Sequence, residues 1–190
     1  GHVYAVTAAS GDLVWQHDTG GVVQGSPAVG AGKVFVGSRS AAVFALDADS
    51  GEQVWKHGHE DGSWVESSPV LRDGVVYVGS SDALQLFALD AETGQTIWNF
   101  RTGGWSWSTP LAGDGTVYIG GLSASPYYFE GVTLRAGFFA VDRKSGDSLW
   151  EFTPQPIEAY ITGGVFSTPA RADGVIYVGA LDGRLYAFEE

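Results

Sequence analysis

The sequence contains no cysteine and no methionine, and its single asparagine is Asn99. Without cysteine there are no disulfides, no thiolate nucleophile and no cysteine-held metal. No apolar run approaches the ~18 residues of a membrane-spanning helix. The opening GHVYAV has neither the basic segment nor the apolar core of a secretory signal. Basic residues are also scarce: ten, seven of them arginine, against twenty-two acids, for a net charge of −12. Such a surface repels phosphate backbones, so nucleic acid is excluded as an expected partner. It suits a salt-adapted protein or an ordinary acidic one. A helical hydrophobic period of useful length is missing throughout.

What is abundant is glycine, 28 of 190 residues, roughly twice the ~7% average. With seven tryptophans, this composition points to tight turns joining short aromatic-rich strands. Self-similarity then decides the architecture. A segment A-x-(D/T)-x-x-(S/T)-G-x-x-x-W occurs four times, as AVTAASGDLVW at 5–15, ALDADSGEQVW at 45–55, ALDAETGQTIW at 88–98 and AVDRKSGDSLW at 140–150. A pair (S/T)-P recurs at Ser26-Pro27, Ser68-Pro69, Thr109-Pro110 and Thr168-Pro169. A strand ending in glycine recurs as KVFVG, VVYVG, TVYIG and VIYVG.

Each repeat therefore reads as four strands. The inner one follows (S/T)-P, the second is V-Y-V-G, the third is L-Y-A-L-D and the outer one carries the tryptophan. Units of about 40–45 residues with four strands predict an all-β fold, a β-propeller of four-stranded antiparallel blades. Four repeats make either a closed small ring or half of an eight-bladed ring. The expected divisions of this single domain are whole blades at 21–62, 63–104 and 105–163. Residues 1–20, holding a third and an outer strand, and 164–190, holding an inner, second and third strand, share a split blade. Closing four blades on themselves would leave one strand surplus. A second copy pairing as a homodimer would complete eight blades. Two insertions, 123–137 and 154–164, lengthen the third blade's loops. Each is either a passive connection or part of a binding surface.

The four tryptophan segments resemble the tryptophan-docking motif of the pyrroloquinoline quinone (PQQ) repeat family, and the resemblance spans essentially the whole chain. It implies that Trp15, Trp55, Trp98 and Trp150 pack between neighbouring blades. It also implies that Asp47, Asp90 and Asp142, with Gly11, Gly51, Gly94 and Gly146, shape the turns that receive them; the first repeat has Thr7 in place of the aspartate. The family divides into quinoprotein dehydrogenases, holding PQQ and calcium at the centre, and non-catalytic propellers that include the outer-membrane assembly lipoprotein. The dehydrogenase branch implies a catalytic Asp, Glu and Asn ligands and often a vicinal cysteine pair. This sequence has no cysteine, and Asn99 belongs to an outer strand. The resemblance is therefore closer to the non-catalytic branch, with no cofactor, no metal and no catalytic residue expected. Family habit implies an exported location.

A ligand or protein partner is expected at the channel mouth. Two residues before each (S/T)-P pair stand Gln24, Glu66, Trp107 and Phe166, and four before stand Val22, Trp64, Trp105 and Gly164. These positions vary where the repeat is otherwise uniform. They hold the three tryptophans that docking leaves over: Trp64, Trp105 and Trp107. Such an aromatic cluster with one carboxylate and one amide suits a planar ring, a sugar face or a peptide, or plugs a narrow channel. The binding set is therefore Gln24, Trp64, Glu66, Trp105, Trp107 and Phe166, with Arg39, Tyr127, Tyr128 and Arg135 as further rim residues. His57 and His59 share a strand face, but with no third ligand in view a solvated turn is the simpler expectation. The expected function is a non-catalytic binding or scaffolding module. The alternatives are half of a quinoprotein dehydrogenase, which would take PQQ with calcium, or a carbohydrate-binding propeller.

Overall fold

Period-two alternation and glycine-rich turns fold the chain into short antiparallel strands. A computed structural model describes residues 1–126 and 130–190. The first sheet pairs β1 (His2–Val6) with β2 (Leu13–Asp18). The second runs β3 (Ala28–Gly30), β4 (Lys33–Ser38), β5 (Ala42–Asp47) and β6 (Gln53–Gly58). The third repeats it with β7 (Val70–Arg72), β8 (Val75–Gly79), β9 (Gln85–Asp90) and β10 (Thr96–Arg101). The fourth holds β11 (Leu111–Ala112), β12 (Thr116–Ala124), β13 (Gly137–Asp142) and β14 (Ser148–Phe152), with β15 (Ile161–Gly164) added against β12. The last holds β16 (Ala170–Ala172), β17 (Val175–Gly179) and β18 (Leu185–Glu189). These are propeller blades. No helix among the described residues is long and apolar enough to cross a membrane.

The core lies between blades, and one strand serves two interfaces. Phe44 and Leu46 of β5 pack backwards on Val3 and Trp15. Val43 and Ala45 of the same strand pack forwards with Phe87 and Leu89. Alternate side chains of a strand point to opposite faces, so a central blade is apolar on both. At the two ends of the arc one face is left open. Tyr4 is 59% exposed on β1 and Leu185 is 74% exposed on β18. The outer strand β2 pairs with β1, and β18 pairs with β17, so the ring-closing pairing of β2 with β18 is not formed among the described strands.

The two insertions meet. Leu122 and Ser123 of β12 pair with Gly164 and Gly163 of β15, and Ala124 pairs with Ile161. The segment 154–164 therefore supplies a fifth strand to its sheet.

The turns carry a pH dependence. Asp47 accepts the Ser50 amide at 2.8 Å, Asp90 the Thr93 amide at 2.8 Å and Asp142 the Ser145 amide at 2.8 Å. These bonds favour the charged form. The Ser50 amide foremost holds Asp47 below the ordinary carboxylate range, as the Thr93 hydroxyl does Asp90 and the Ser145 amide Asp142. A depressed folded pKa contributes stability that is full above the unfolded value of about 3.9 and lost as pH falls through the folded value. We expect the thermal unfolding midpoint to drop between about pH 5 and about pH 2. Asp90→Asn, which keeps an acceptor oxygen and loses the charge, should flatten that drop; an unchanged slope would sink this account.

Candidate functional site

Three tryptophans lie on the turn of the following blade. Trp15 Nε1 donates to the Ala48 carbonyl at 3.0 Å, Trp55 Nε1 to Ala91 at 3.0 Å and Trp98 Nε1 to Arg143 at 3.1 Å. Each indole covers a glycine with positive φ: Gly51, Gly94 and Gly146. A β-carbon at Gly94 would sit 2.6 Å from Trp55 Cδ2, so the residue must be small as well as left-handed. Trp150 differs. It stacks on Phe188 at 5.2 Å, and no following turn stands over it among the described residues. The first turn, at Thr7, still closes through Gly11 N to Thr7 O at 2.7 Å, but a β-carbon on Gly11 would meet nothing within 4 Å.

Histidines add to these contacts. His17 Nδ1 lies 3.1 Å from the Gly51 carbonyl and His57 Nδ1 3.0 Å from that of Gly94. A carbonyl only accepts, so Nδ1 carries the proton in both. His59 is not in a solvated turn. Its ring lies 4.8 Å from Phe87, its Nε2 is buried without a partner among the described residues, and burial, with His57 beside it, pushes its pKa down to about 4. The imidazole is thus neutral at pH 7, because the low-dielectric site disfavours the cation. Among the described residues no group of three or more His, Cys, Asp or Glu could hold a metal ion.

The positions preceding each (S/T)-P pair converge. Gln24, Glu66, Trp107 and Phe166, one from each of four blades, line a single central cleft of about 410 Å³. Ser68, Thr109 and Thr168 of the pairs themselves add hydroxyls, and Arg39 reaches in from the β4–β5 turn. The serine just before the pair holds the inner strand down: Ser108 Oγ accepts the Gly120 amide at 2.9 Å, and Ser167 Oγ that of Gly179 at 3.1 Å. That serine was visible in the sequence as S-(S/T)-P in three repeats, with Gly25 in the first.

The cleft lining combines a charged pair with aromatic rings. Arg39 Nε donates to Glu66 Oε1 at 2.9 Å, and its Nη2 shares that oxygen. The Glu66 side chain is only 9% exposed, and its Oε2 is buried with no hydrogen-bond partner among the described residues. A buried acceptor left without a donor costs about 1–3 kcal/mol, and more when charged. Trp64, 44% exposed, lies outside the cleft lining and supports it, its ring 4.5 Å from the Arg39 guanidinium carbon. Trp107, also in the lining, stacks on Trp105 at 4.7 Å and 7° between planes. Trp105 Nε1 donates to Asp82 Oδ1 at 3.0 Å and Trp107 Nε1 to Ser81 Oγ at 3.1 Å, which fixes both rings. Trp105 is 3% exposed and backs the wall, while Phe166 stands at 89° to Trp107, 6.4 Å away. Tyr160, from the second insertion, extends the row at 6.4 Å from Trp105.

Arg135 lies apart from this cleft, over Phe139 at 5.5 Å and paired with Glu151 at 2.7 Å. Tyr127 and Tyr128 lie outside the described residues. Arg39 was placed only as a rim residue from sequence; its partnership with Glu66 spans 27 positions and has no local signal.

A family profile described as outer membrane protein assembly factor BamB matches residues 1–190. Quinohemoprotein alcohol dehydrogenase ADH-IIG of Pseudomonas putida is 30% identical over 120 residues, covering 53% of this chain and 17% of that protein. Outer membrane protein assembly factor BamB of Salmonella typhimurium is 37% identical over 73 residues, 34% of this chain and 18% of its own length. The crystal structure of BamB from Moraxella catarrhalis superposes with a TM-score of 0.76 at 24% identity, over 100% of this chain and 52% of that one. The chain thus spans less than a fifth of these two curated relatives and about half of the solved BamB chain.

Proposed function

Since the chain belongs to the family described as outer membrane protein assembly factor BamB, a family of PQQ-type repeats, we propose that it is a non-catalytic binding module whose ligand or partner seats in the central cleft. The observation that carries this reading is the convergence of four equivalent, non-uniform positions on one cavity, while the rest of the repeat builds blades. Concave sites with an apolar wall and a few directed polar groups are where small ligands bind. The titratable residues lining the cleft are Arg39 and Glu66, and they are engaged with each other. Asp47, Asp90 and Asp142 are committed to turns.

Calcium-bound PQQ, the group implied by the dehydrogenase branch, does not fit this donor set. Calcium takes six to eight oxygen ligands with several carboxylates among them. The cleft lining offers one carboxylate, with Arg39 on one of its two oxygens. An exported location accompanies the proposal, in keeping with the relatives whose name refers to outer membrane protein assembly.

Two measurements test the reading. A fragment library screened by ligand-observed NMR should yield binders that Trp107→Ala removes and Val54→Ala, on an exposed outer strand, leaves alone. Titration with PQQ and calcium should give no saturable quenching of tryptophan fluorescence and no dye-linked alcohol oxidation. Saturable binding with turnover would establish the enzyme alternative instead.

A further inference from the structure

The chemistry of the central cleft is lopsided in a way that selects a ligand class. Trp107 has one face covered by Trp105 and its indole N–H spent on Ser81. What it offers the cleft is apolar π surface and no hydrogen bond. Lining the same cleft is Glu66, whose Oε2 is an acceptor that lacks a donor and whose side chain is nine-tenths buried. The hydroxyls of Thr109 and Thr168 and the amide of Gln24, which both donate and accept, line the same space.

A flat aromatic ligand would match Trp107 but brings few donors for the polar groups. An ammonium would suit Glu66 Oε2 but would sit against the Arg39 guanidinium, which holds the other oxygen of the same carboxylate. An acidic ligand would meet a protein of net charge −12 and the bare oxygen of Glu66. A neutral saccharide ring answers each demand. Its axial C–H face lies on an indole as apolar surface, and its equatorial hydroxyls each donate and accept. We propose that the cleft binds a neutral saccharide unit, its C–H face on Trp107 and one hydroxyl donating to Glu66 Oε2. Phe166, perpendicular to Trp107, bounds the ring at its edge, and Trp64 holds Arg39 so that Glu66 keeps its orientation. This inference rests on the reading of the cleft as a binding site.

The test is affinity electrophoresis of the 190-residue chain in gels cast with starch, laminarin, xylan or galactomannan, with heparin as the acidic arm. Retardation is expected in at least one neutral gel and not in heparin. Trp107→Ala should abolish it and Trp107→Phe should weaken it. Glu66→Gln, which loses the charge on the acceptor, should weaken it by about tenfold or more. Circular dichroism separates lost binding from lost folding, and Trp107→Phe keeps the test valid if the alanine variant unfolds. Retardation that survives in folded Trp107→Ala overturns the proposal. So does the absence of retardation in every neutral gel together with unmoved tryptophan fluorescence on adding methyl glycosides. If fragments bind the cleft while no saccharide does, the saccharide assignment alone falls. If neither binds, the binding-site reading falls with it.

Discussion

Replacing Trp55 by alanine is expected to lower the unfolding free energy by about 3–5 kcal/mol, with a matching fall in the urea midpoint followed by circular dichroism. The indole is buried between two blades, in a cluster with Phe35, Val43, Phe87 and Leu89. Its removal opens a void that the stiff sheets on either side cannot close, so a cavity term adds to the lost transfer energy. It also strips the Ala91 carbonyl of its donor and leaves Gly94 without the ring that covers it. Trp150 occupies the same motif position but is half-buried and lies on Phe188 instead of a following turn. Trp150→Ala should therefore cost at least about 1 kcal/mol less. Equal losses would mean that the contact with the next blade contributes little. In a repeat array nearest-neighbour interfaces supply much of the stability, so this single ring is a measure of one interface.

The contrast between these tryptophans explains what was legible in the residues. The strands were legible because each repeat states them again: VFVG, VYVG, VYIG and IYVG cannot be four accidents of composition, and their alternation is that of a sheet buried on both faces. Gln24, Glu66, Trp107 and Phe166 could be singled out because they break a pattern at a common register. Arg39 was harder. Its pairing with Glu66 depends on how the β4–β5 turn leans over the next inner strand, a matter of blade rotation that no local pattern encodes. The pairing of β12 with β15 is of the same kind, since it joins two insertions that have no counterpart in the other repeats. His17 is instructive for the opposite reason. WQH and WKH place His17 and His57 at one repeat position, and both rings bond the next turn glycine. The repeat carried that signal, but the spacing of His57 and His59 suggested a metal pair or a solvated turn. The serine of S-(S/T)-P was likewise written in the sequence, but the repeat was read from the pair onward and that position was passed over.

Gly79→Ala is the second substitution expected to be severe, at about 3 kcal/mol or more, while Gly179→Ala at the equivalent position should change stability by less than about 1 kcal/mol. Neither glycine has a positive φ, so the difference is purely one of space. A β-carbon on Gly79 would fall well inside van der Waals contact with the Ser106 carbonyl oxygen. Gly120 faces the Val165 carbonyl in the same way. The obstructing atoms are backbone of the segment entering the next blade, and that segment is held by its own bond from Ser106 N to Ser80 O at 3.0 Å. A side chain could rotate away; this backbone cannot without giving up the bond. Gly179 ends β17, and the nearest atom to a β-carbon there is Ser167 Oγ at 3.7 Å, ordinary contact. Alanine also loses less conformational freedom than glycine in a strand, so Gly179→Ala gains back a few tenths of a kcal/mol. Thermal and urea unfolding of the two variants reads the comparison directly. Equal damage at both sites would show that the glycine serves its own sheet. A tolerated alanine at Gly79 would show that neighbouring blades do not approach so closely in solution. The expected asymmetry makes the last glycine of V-Y-V-G a recorder of whether another blade lies beyond it.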